Sequence, residues 1–234
     1  MSKIAPVILV TRPLTQANEF RQILGQGARV VISPVIEIRY SDFSVQTGVY
    51  QTLIFASRNA VNAAARCMDL HGLNAIAVGD RTALAATGQG MISVSAGGNA
   101  DDLVERVIAA NPEGKVLFVR GRHSRGEIAD LLNSRGIETD SVIAYDQIQT
   151  KLTAEACELL GGDAPVIIPL FSPRSAKLVA SEVTEIRAPL ALVGMSKAVL
   201  DSWDGAMPTV QAIADQPTAQ AMRKETLRLM RSWA

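Results

Sequence analysis

Leu53-Ile54-Phe55-Ala56-Ser57-Arg58-Asn59-Ala60 reads as an apolar strand that stops at a serine and opens a helix. A second stretch, Ile168-Pro169-Leu170-Phe171-Ser172-Pro173-Arg174-Ser175, has the same plan. Twenty-two residues beyond Ser57 comes Gly79, in Ala77-Val78-Gly79-Asp80-Arg81-Thr82. Twenty-two beyond Ser172 comes Gly194, in Leu192-Val193-Gly194-Met195-Ser196-Lys197. A strand–helix–strand unit is therefore used twice.

A weaker repeat lies outside this one. Val10-Thr11-Arg12 leads through Phe20, Ile23 and Leu24 to Gly27. Val119-Arg120-Gly121 leads through Ile128, Leu131 and Leu132 to Gly136 at the same separation. The chain reads A-B-A′-B′, two related halves of about a hundred residues each. Val7 to Val10, Thr52 to Ala56, Ala75 to Val78, Val116 to Val119, Val166 to Phe171 and Leu190 to Val193 are near-continuous apolar runs. Such runs, each followed by a turn and a helical pattern, predict an α/β fold with parallel sheets flanked by helices. From Pro217 onward the spacing of Met222, Thr226, Leu229 and Trp233 predicts a final helix with those residues on one side.

With 234 residues, 48% of them hydrophobic and 20% charged, the chain can bury one large core or two small ones. Its formal net charge is zero, which gives no reason to expect nucleic acid or an anionic membrane as partner. Cys67 and Cys157 lack CxxC spacing and are read as small buried thiols of a reducing compartment. Met1 to Val10 carries no export pattern, and Pro165 to Phe171 is strand-sized, so a soluble cytoplasmic protein is expected.

Several chemistries find no motif. GxGxxG after a strand, GxxxxGK[ST] and G-x-S-x-G are all missing; Gly121 and Gly126 have part of a phosphate-loop spacing, but Glu127 stands where the lysine belongs. His71 and His123 have no second ligand at metal spacing and are read as structural or surface residues. No metal, flavin or nucleotide cofactor is expected.

What remains is a set of strand-to-helix turns: Thr11-Arg12-Pro13, Ser57-Arg58-Asn59, Gly79-Asp80-Arg81-Thr82, Arg120-Gly121-Arg122, Ser172-Pro173-Arg174-Ser175 and Gly194-Met195-Ser196-Lys197. In an open parallel sheet they fall at the carboxyl edge, where ligands bind. Free backbone N–H groups and the positive end of a helix point there. Any one of these serines or threonines is an ordinary helix cap. Six such turns carrying arginine or lysine predict an anion-binding cleft between two α/β lobes. The anion itself is not readable from them.

At these turns the chain resembles the uroporphyrinogen-III synthase family. The matching elements are Val10-Thr11-Arg12-Pro13, Phe55-Ala56-Ser57-Arg58-Asn59-Ala60-Val61, Val78-Gly79-Asp80-Arg81-Thr82-Ala83, Val142-Ile143-Ala144-Tyr145, Phe171-Ser172-Pro173-Arg174-Ser175 and Pro217-Thr218. They keep family order across almost the whole length. The resemblance implies two similar α/β domains joined by a two-stranded linker, with the active-site cleft between them. Residues 1–36 and 150–234 would form one domain and 40–146 the other, with crossings at 37–39 and 147–149. A cut near Gly98, which the repeat alone suggests, is not expected.

The implied substrate is hydroxymethylbilane, a linear tetrapyrrole with eight carboxylates, and the implied enzyme a cofactor-independent hydro-lyase acting as a monomer. Its reaction expels the terminal hydroxyl as water, inverts the last ring through a spiro intermediate and yields uroporphyrinogen III. Carried residue by residue, the resemblance makes Tyr145 the catalytic candidate. Thr11, Arg12, Ser57, Arg58, Thr82, Arg120, Ser172, Ser196 and Lys197 become the substrate-binding candidates. Two departures stand out: Met195-Ser196-Lys197 replaces a Pro-Thr-Thr-type turn, and Ala56 stands where threonine is common. Two other readings of the same turns are a non-catalytic two-lobed binding protein for a small anion and a phosphosugar enzyme using Asp80 as base.

Overall fold

The computed structural model describes residues 4–46, 48–123, 127–183 and 186–233; Gly126 of the phosphate-loop-like spacing lies outside the described residues. The chain runs β1 (Val7–Val10), α1 (Leu14–Leu24), β2 (Val30–Ile32) and β3 (Ile36–Tyr40). It continues with β4 (Tyr50–Phe55), α2 (Arg58–Cys67), β5 (Asn74–Ala77), α3 (Asp80–Thr87), β6 (Ile92–Ser95) and α4 (Ala100–Ala110). Next come β7 (Lys115–Gly121), α5 (Glu127–Ser134) and β8 (Thr139–Gln149). The last third is α6 (Ala154–Leu160), β9 (Val166–Leu170), α7 (Pro173–Glu182), β10 (Leu190–Gly194), α8 (Lys197–Leu200), β11 (Val210–Ile213) and α9 (Ala219–Trp233).

Two compact units result, one from Met1–Glu37 with Ile148–Ala234, the other from Ile38–Gln147. The first unit holds a five-stranded sheet in the order β11-β10-β9-β1-β2. β1–β2, β1–β9, β9–β10 and β10–β11 pair in parallel. The second holds the order β3-β8-β7-β4-β5-β6, and β8, β7, β4, β5 and β6 pair in parallel. Both sheets are one doubly wound arrangement: β7 and β8 stand where β1 and β2 do, and β4, β5 and β6 where β9, β10 and β11 do. The α/β class with helix-flanked parallel sheets is thus as the apolar runs predict.

Period-two alternation sorts each strand between two helix layers. In the second unit Leu53, Phe55, Leu117 and Val119 pack on Ala60, Val61, Ala63 and Ala64 of α2 and Ala86 of α3. Ile54, Ile76, Val116 and Phe118 face Leu103, Val104 and Val107 of α4 and Ile128, Ala129 and Leu132 of α5. In the first unit Ile8, Val10, Ile167 and Val193 meet Phe20 and Leu24 of α1 and Met222 and Leu229 of α9. Each buried Val, Leu, Ile, Phe or Met among them contributes about 1.5–3 kcal/mol by leaving water.

Strand pairing corrects the alignment of both repeats. Leu170 pairs with Gly194 as Phe55 pairs with Ala77, and each is followed two residues later by a capping serine. Gly194 therefore corresponds to Ala77, and Ser196 rather than Gly194 corresponds to Gly79. Glycine identity drew the match two residues short, because the chain from Ser172 to the next helix start is longer. In the weaker repeat Val10 faces α1 and Phe118 faces α5 as the last such residue of each strand. Arg12 therefore corresponds to Arg120.

Two smaller differences concern bounds and burial. Ala56, Val78 and Phe171 lie just past their strands, in the spacer before each helix start. Cys67 is only half-buried and Cys157 is exposed. Cys157 lies in α6, whose buried residues are Ala156 and Leu160.

The unit boundaries fall inside β3 and β8, which neighbour each other in the six-stranded sheet. In the first unit the same two chain segments stay joined. Thr150 donates its N–H to Val35 O at 3.1 Å and its hydroxyl to Pro34 O at 2.6 Å, and Thr153 N–H donates to Ser33 Oγ at 2.8 Å.

Candidate active site

A doubly wound sheet has a switch point where its strand order reverses, and ligands bind outside the carboxyl ends of the strands there. In the first unit that point lies between β1 and β9, in the second between β7 and β4. Thr11, Arg12, Ser57, Arg58, Arg120, Tyr145 and Ser172 lie around these two places, whereas Thr82 follows β5 and Ser196 and Lys197 follow β10, one strand further out.

Ser57 caps α2: its backbone is extended, at φ −161° and ψ 157°, and its Oγ accepts the Ala60 N–H at 3.2 Å. The Tyr145 hydroxyl reaches the same Oγ from β8 at 2.9 Å, across 88 residues of sequence. Tyr145 is 6% exposed, and the hydroxyl end of its ring lies against Gly121. Burial pushes the phenol above its ordinary pKa, the Ser57 hydrogen bond opposes that, and Tyr40 adds a little to it. A buried phenol that keeps its proton is a standing weak acid.

Beyond Tyr145 the strand carries Asp146, which accepts from Arg122 Nε at 2.8 Å and from the Gln147 N–H at 2.7 Å. His123 Nε2 lies 3.4 Å from the other carboxylate oxygen. Burial on its own would raise the Asp146 carboxyl, but the Gln147 N–H, Arg122 and His123 bring it below the ordinary value. Arg122 is thereby held beside the switch point. His123 stands at the surface beside this carboxylate.

Arg120 leaves β7 on the opposite sheet face. Its Nη1 donates to Gly121 O at 3.3 Å, and its buried Nε has no hydrogen-bond partner among the described residues. Thr82 is buried in the first turn of α3, where its backbone N–H donates to Gly79 O. Arg58 opens α2 directly after Ser57.

The first unit builds its switch point differently. The Arg12 guanidinium lies 3.9 Å from the Phe171 ring centre and donates to Gln16 Oε1 at 2.9 Å. Phe20 supports Phe171 edge-on, with ring centres 4.9 Å apart. Thr11 is buried beside it. Ser172 caps α7 at φ −153° and ψ 152°, accepts the Ser175 N–H at 3.1 Å and shares a 2.9 Å bond with the Ser175 hydroxyl. Pro169 has no N–H to offer on the β1 side, and the β1–β9 pairing ends at Ile167. Ser196 caps α8 by backbone conformation, without a side-chain cap bond. Lys197 is exposed and held by Asp201 at 2.7 Å within the same short helix.

Sequence reasoning placed Ser57 and Tyr145 separately; the fold makes them one pair. It missed Gly121, Phe171 and Gln16. The signal for Phe171 was present, as the one aromatic in the repeat where the other copy has Ala56. Asp80 is exposed at the start of α3, which does not give it the sheltered place of a general base. Among the described residues no cluster of three or more histidine, cysteine or acidic side chains could hold a metal ion. Among them, too, no helix is long and apolar enough to cross a membrane.

Fold and turns define a doubly wound α/β protein with hydroxyl- and arginine-lined carboxyl edges. The family profile described as uroporphyrinogen-III synthase HemD matches residues 20–224. No curated protein sequence matches the chain. Among solved structures, the uroporphyrinogen-III synthetase of Helicobacter pylori has a TM-score of 0.68 at 16% identity, covering 96% of this chain and 99% of that one. A mutant uroporphyrinogen III synthase of the extremely thermophilic bacterium Thermus thermophilus has a TM-score of 0.48 at 12% identity, covering 95% and 99%. The first likeness supports the fold; membership rests on the profile. The chain belongs to the uroporphyrinogen-III synthase family. Its function is the family's lyase reaction: hydroxymethylbilane is cyclised with loss of water and inversion of its terminal ring, a step of tetrapyrrole biosynthesis.

Proposed function

We propose that the chain carries out this cyclisation as a cytoplasmic monomer, with Tyr145 as proton donor and the carboxyl-edge turns as carboxylate receptors. The observation that carries the reading is the buried phenol of Tyr145 held at 2.9 Å from the Ser57 hydroxyl at a sheet switch point.

The chemistry asks little of the protein. An electron-rich pyrrole expels the terminal hydroxyl once that oxygen is hydrogen-bonded or protonated, and water leaves. The substituted carbon of the last ring attacks the methylene so formed. After fragmentation and reclosure a proton is lost as the ring regains aromaticity. A phenol with a raised pKa lends the first proton, and the phenolate left behind is a ready base for the last. Positioning supplies the rest.

Eight carboxylates are met by many shallow donors. Arg12, Arg58, Arg120 and Lys197 bring charge, and Thr11, Ser57, Thr82, Ser172 and Ser196 bring hydroxyls at helix starts. Steady-state kinetics of Tyr145→Phe test the reading. Turnover should fall while KM stays near the wild-type value; unchanged turnover with a normal isomer III yield would make the phenol structural.

A further inference from the structure

We propose that Gly121 is a positioning residue that sets where the Tyr145 phenol points. The inference rests on the reading of Tyr145 as proton donor and adds to it the residue on which the ring is seated.

Three observations converge. First, strand pairing slips beside the tyrosine. Arg120 pairs with Ile143 but Gly121 pairs with Tyr145, so Ala144 is an extra residue on β8. A bulge of this kind re-aims the side chain that follows it. Val142 and Ala144 already face α2 and α3, and strict alternation would send Tyr145 to the other face. The slip instead puts Ala144 and Tyr145 in the same core cluster.

Second, the ring so turned runs directly over Gly121. A Cβ at that residue would lie 2.6 Å from Tyr145 Cζ, 2.8 Å from Cε2 and 2.9 Å from the hydroxyl oxygen. All three are atoms at the working end of the side chain. Any residue with a Cβ must push the phenol off its seat.

Third, glycine is not required there for its backbone. Gly121 is not among the glycines with positive φ, so alanine can adopt its conformation. The role left for the missing Cβ is to admit the ring. With the seat filled, the phenol loses its 2.9 Å approach to Ser57 and its place at the switch point.

The test uses Gly121→Ala, Tyr145→Phe and the double variant in the full chain, with hydroxymethylbilane as substrate. Gly121→Ala should lower kcat by roughly ten- to a hundredfold, with KM changed by less than about threefold. The double variant should be no slower than the worse single variant, because both act on one phenol. A second readout needs no turnover: ultraviolet titration of tyrosine ionisation, with Tyr145→Phe as blank. The phenol should titrate at lower pH in Gly121→Ala than in the parent, because the lost burial, the larger influence, outweighs the lost Ser57 hydrogen bond.

If Tyr145→Phe loses turnover while Gly121→Ala keeps both turnover and titration, the inference fails and the tyrosine reading stands. If Tyr145→Phe keeps full turnover, the reading fails and the inference with it. Should Gly121→Ala fail to fold, adding Tyr145→Ala must restore its thermal melt. No recovery would show that the clash lies elsewhere and overturn the proposal.

Discussion

The two sheets share one topology, yet their switch points are furnished in opposite ways. In the first unit an arginine is fixed by an aromatic: Arg12 lies on Phe171, which Phe20 braces. In the second the corresponding Arg120 has Ala56 where the ring would be, and its Nε has no partner among the described residues. The capping serines diverge too. Ser172 is satisfied inside its own helix by Ser175, while Ser57 has Ala60 at that place and receives Tyr145 from β8. Pro169 ends the β1–β9 pairing early, whereas β4 and β7 remain paired to Phe55 and Val119. One copy of the repeat fixes its arginine on an aromatic ring. The other holds a buried phenol against its capping serine.

The largest effect that would sharpen this contrast is at Tyr145. Tyr145→Phe should lower kcat by up to ~10²-fold, the scale of a positioned proton donor, in steady-state assays. No residue of the first unit put forward as a substrate donor should match that when truncated, since there only binding is lost.

Next come the two caps. Ser57→Ala and Ser172→Ala should each cost about 1 kcal/mol of stability, seen as a lower thermal midpoint. Ser57→Ala should also slow turnover by about tenfold, because it releases the phenol as well as the helix end. Ser172→Ala should act on KM. Equal losses of kcat would break the distinction between the units.

Smaller changes belong to binding alone. Thr82→Ala should raise KM about fivefold, the weight of one hydroxyl among many donors. Phe171→Leu should raise it by a similar factor, since the arginine loses a stack of about 1 kcal/mol.

The pH profile separates the units without mutation. Burial raises the Tyr145 pKa, so the acid form persists through neutral pH and is lost only as pH rises above ~10. Turnover should stay level from neutral to that point and fall beyond it, and Tyr145→Phe should lack this limb. The sign for stability is the same. A raised acid pKa favours the folded state below the unfolded value, and the gain disappears as pH climbs through the folded one.

Much of this architecture was legible because strand, capping serine and helix recur with nearly fixed spacing. Apolar runs such as Val166 to Leu170 are buried on both faces and could belong only to covered parallel sheets. Register was not legible. Matching Gly79 to Gly194 and Thr11 to Arg120 displaced each repeat by one or two residues, because identity in a turn does not report which residues share a ladder. The pairing of Ser57 with Tyr145 lay further out of reach. It depends on a one-residue slip in β8 and on a glycine whose role is the volume it leaves empty. Neither leaves a mark in local composition. The edge strands β2, β6 and β11 were also hidden, because their half-exposed residues lack the continuous apolar run that marks the equally short β1 and β5.

The central claim is that this chain directs the closure of hydroxymethylbilane through inversion of its last ring. Purified protein should be mixed with hydroxymethylbilane, the products oxidised, and the type I and type III porphyrin isomers separated by chromatography. The account predicts that isomer III dominates and forms faster than the spontaneous closure. A product that is isomer I, formed at the rate seen without protein, would contradict it.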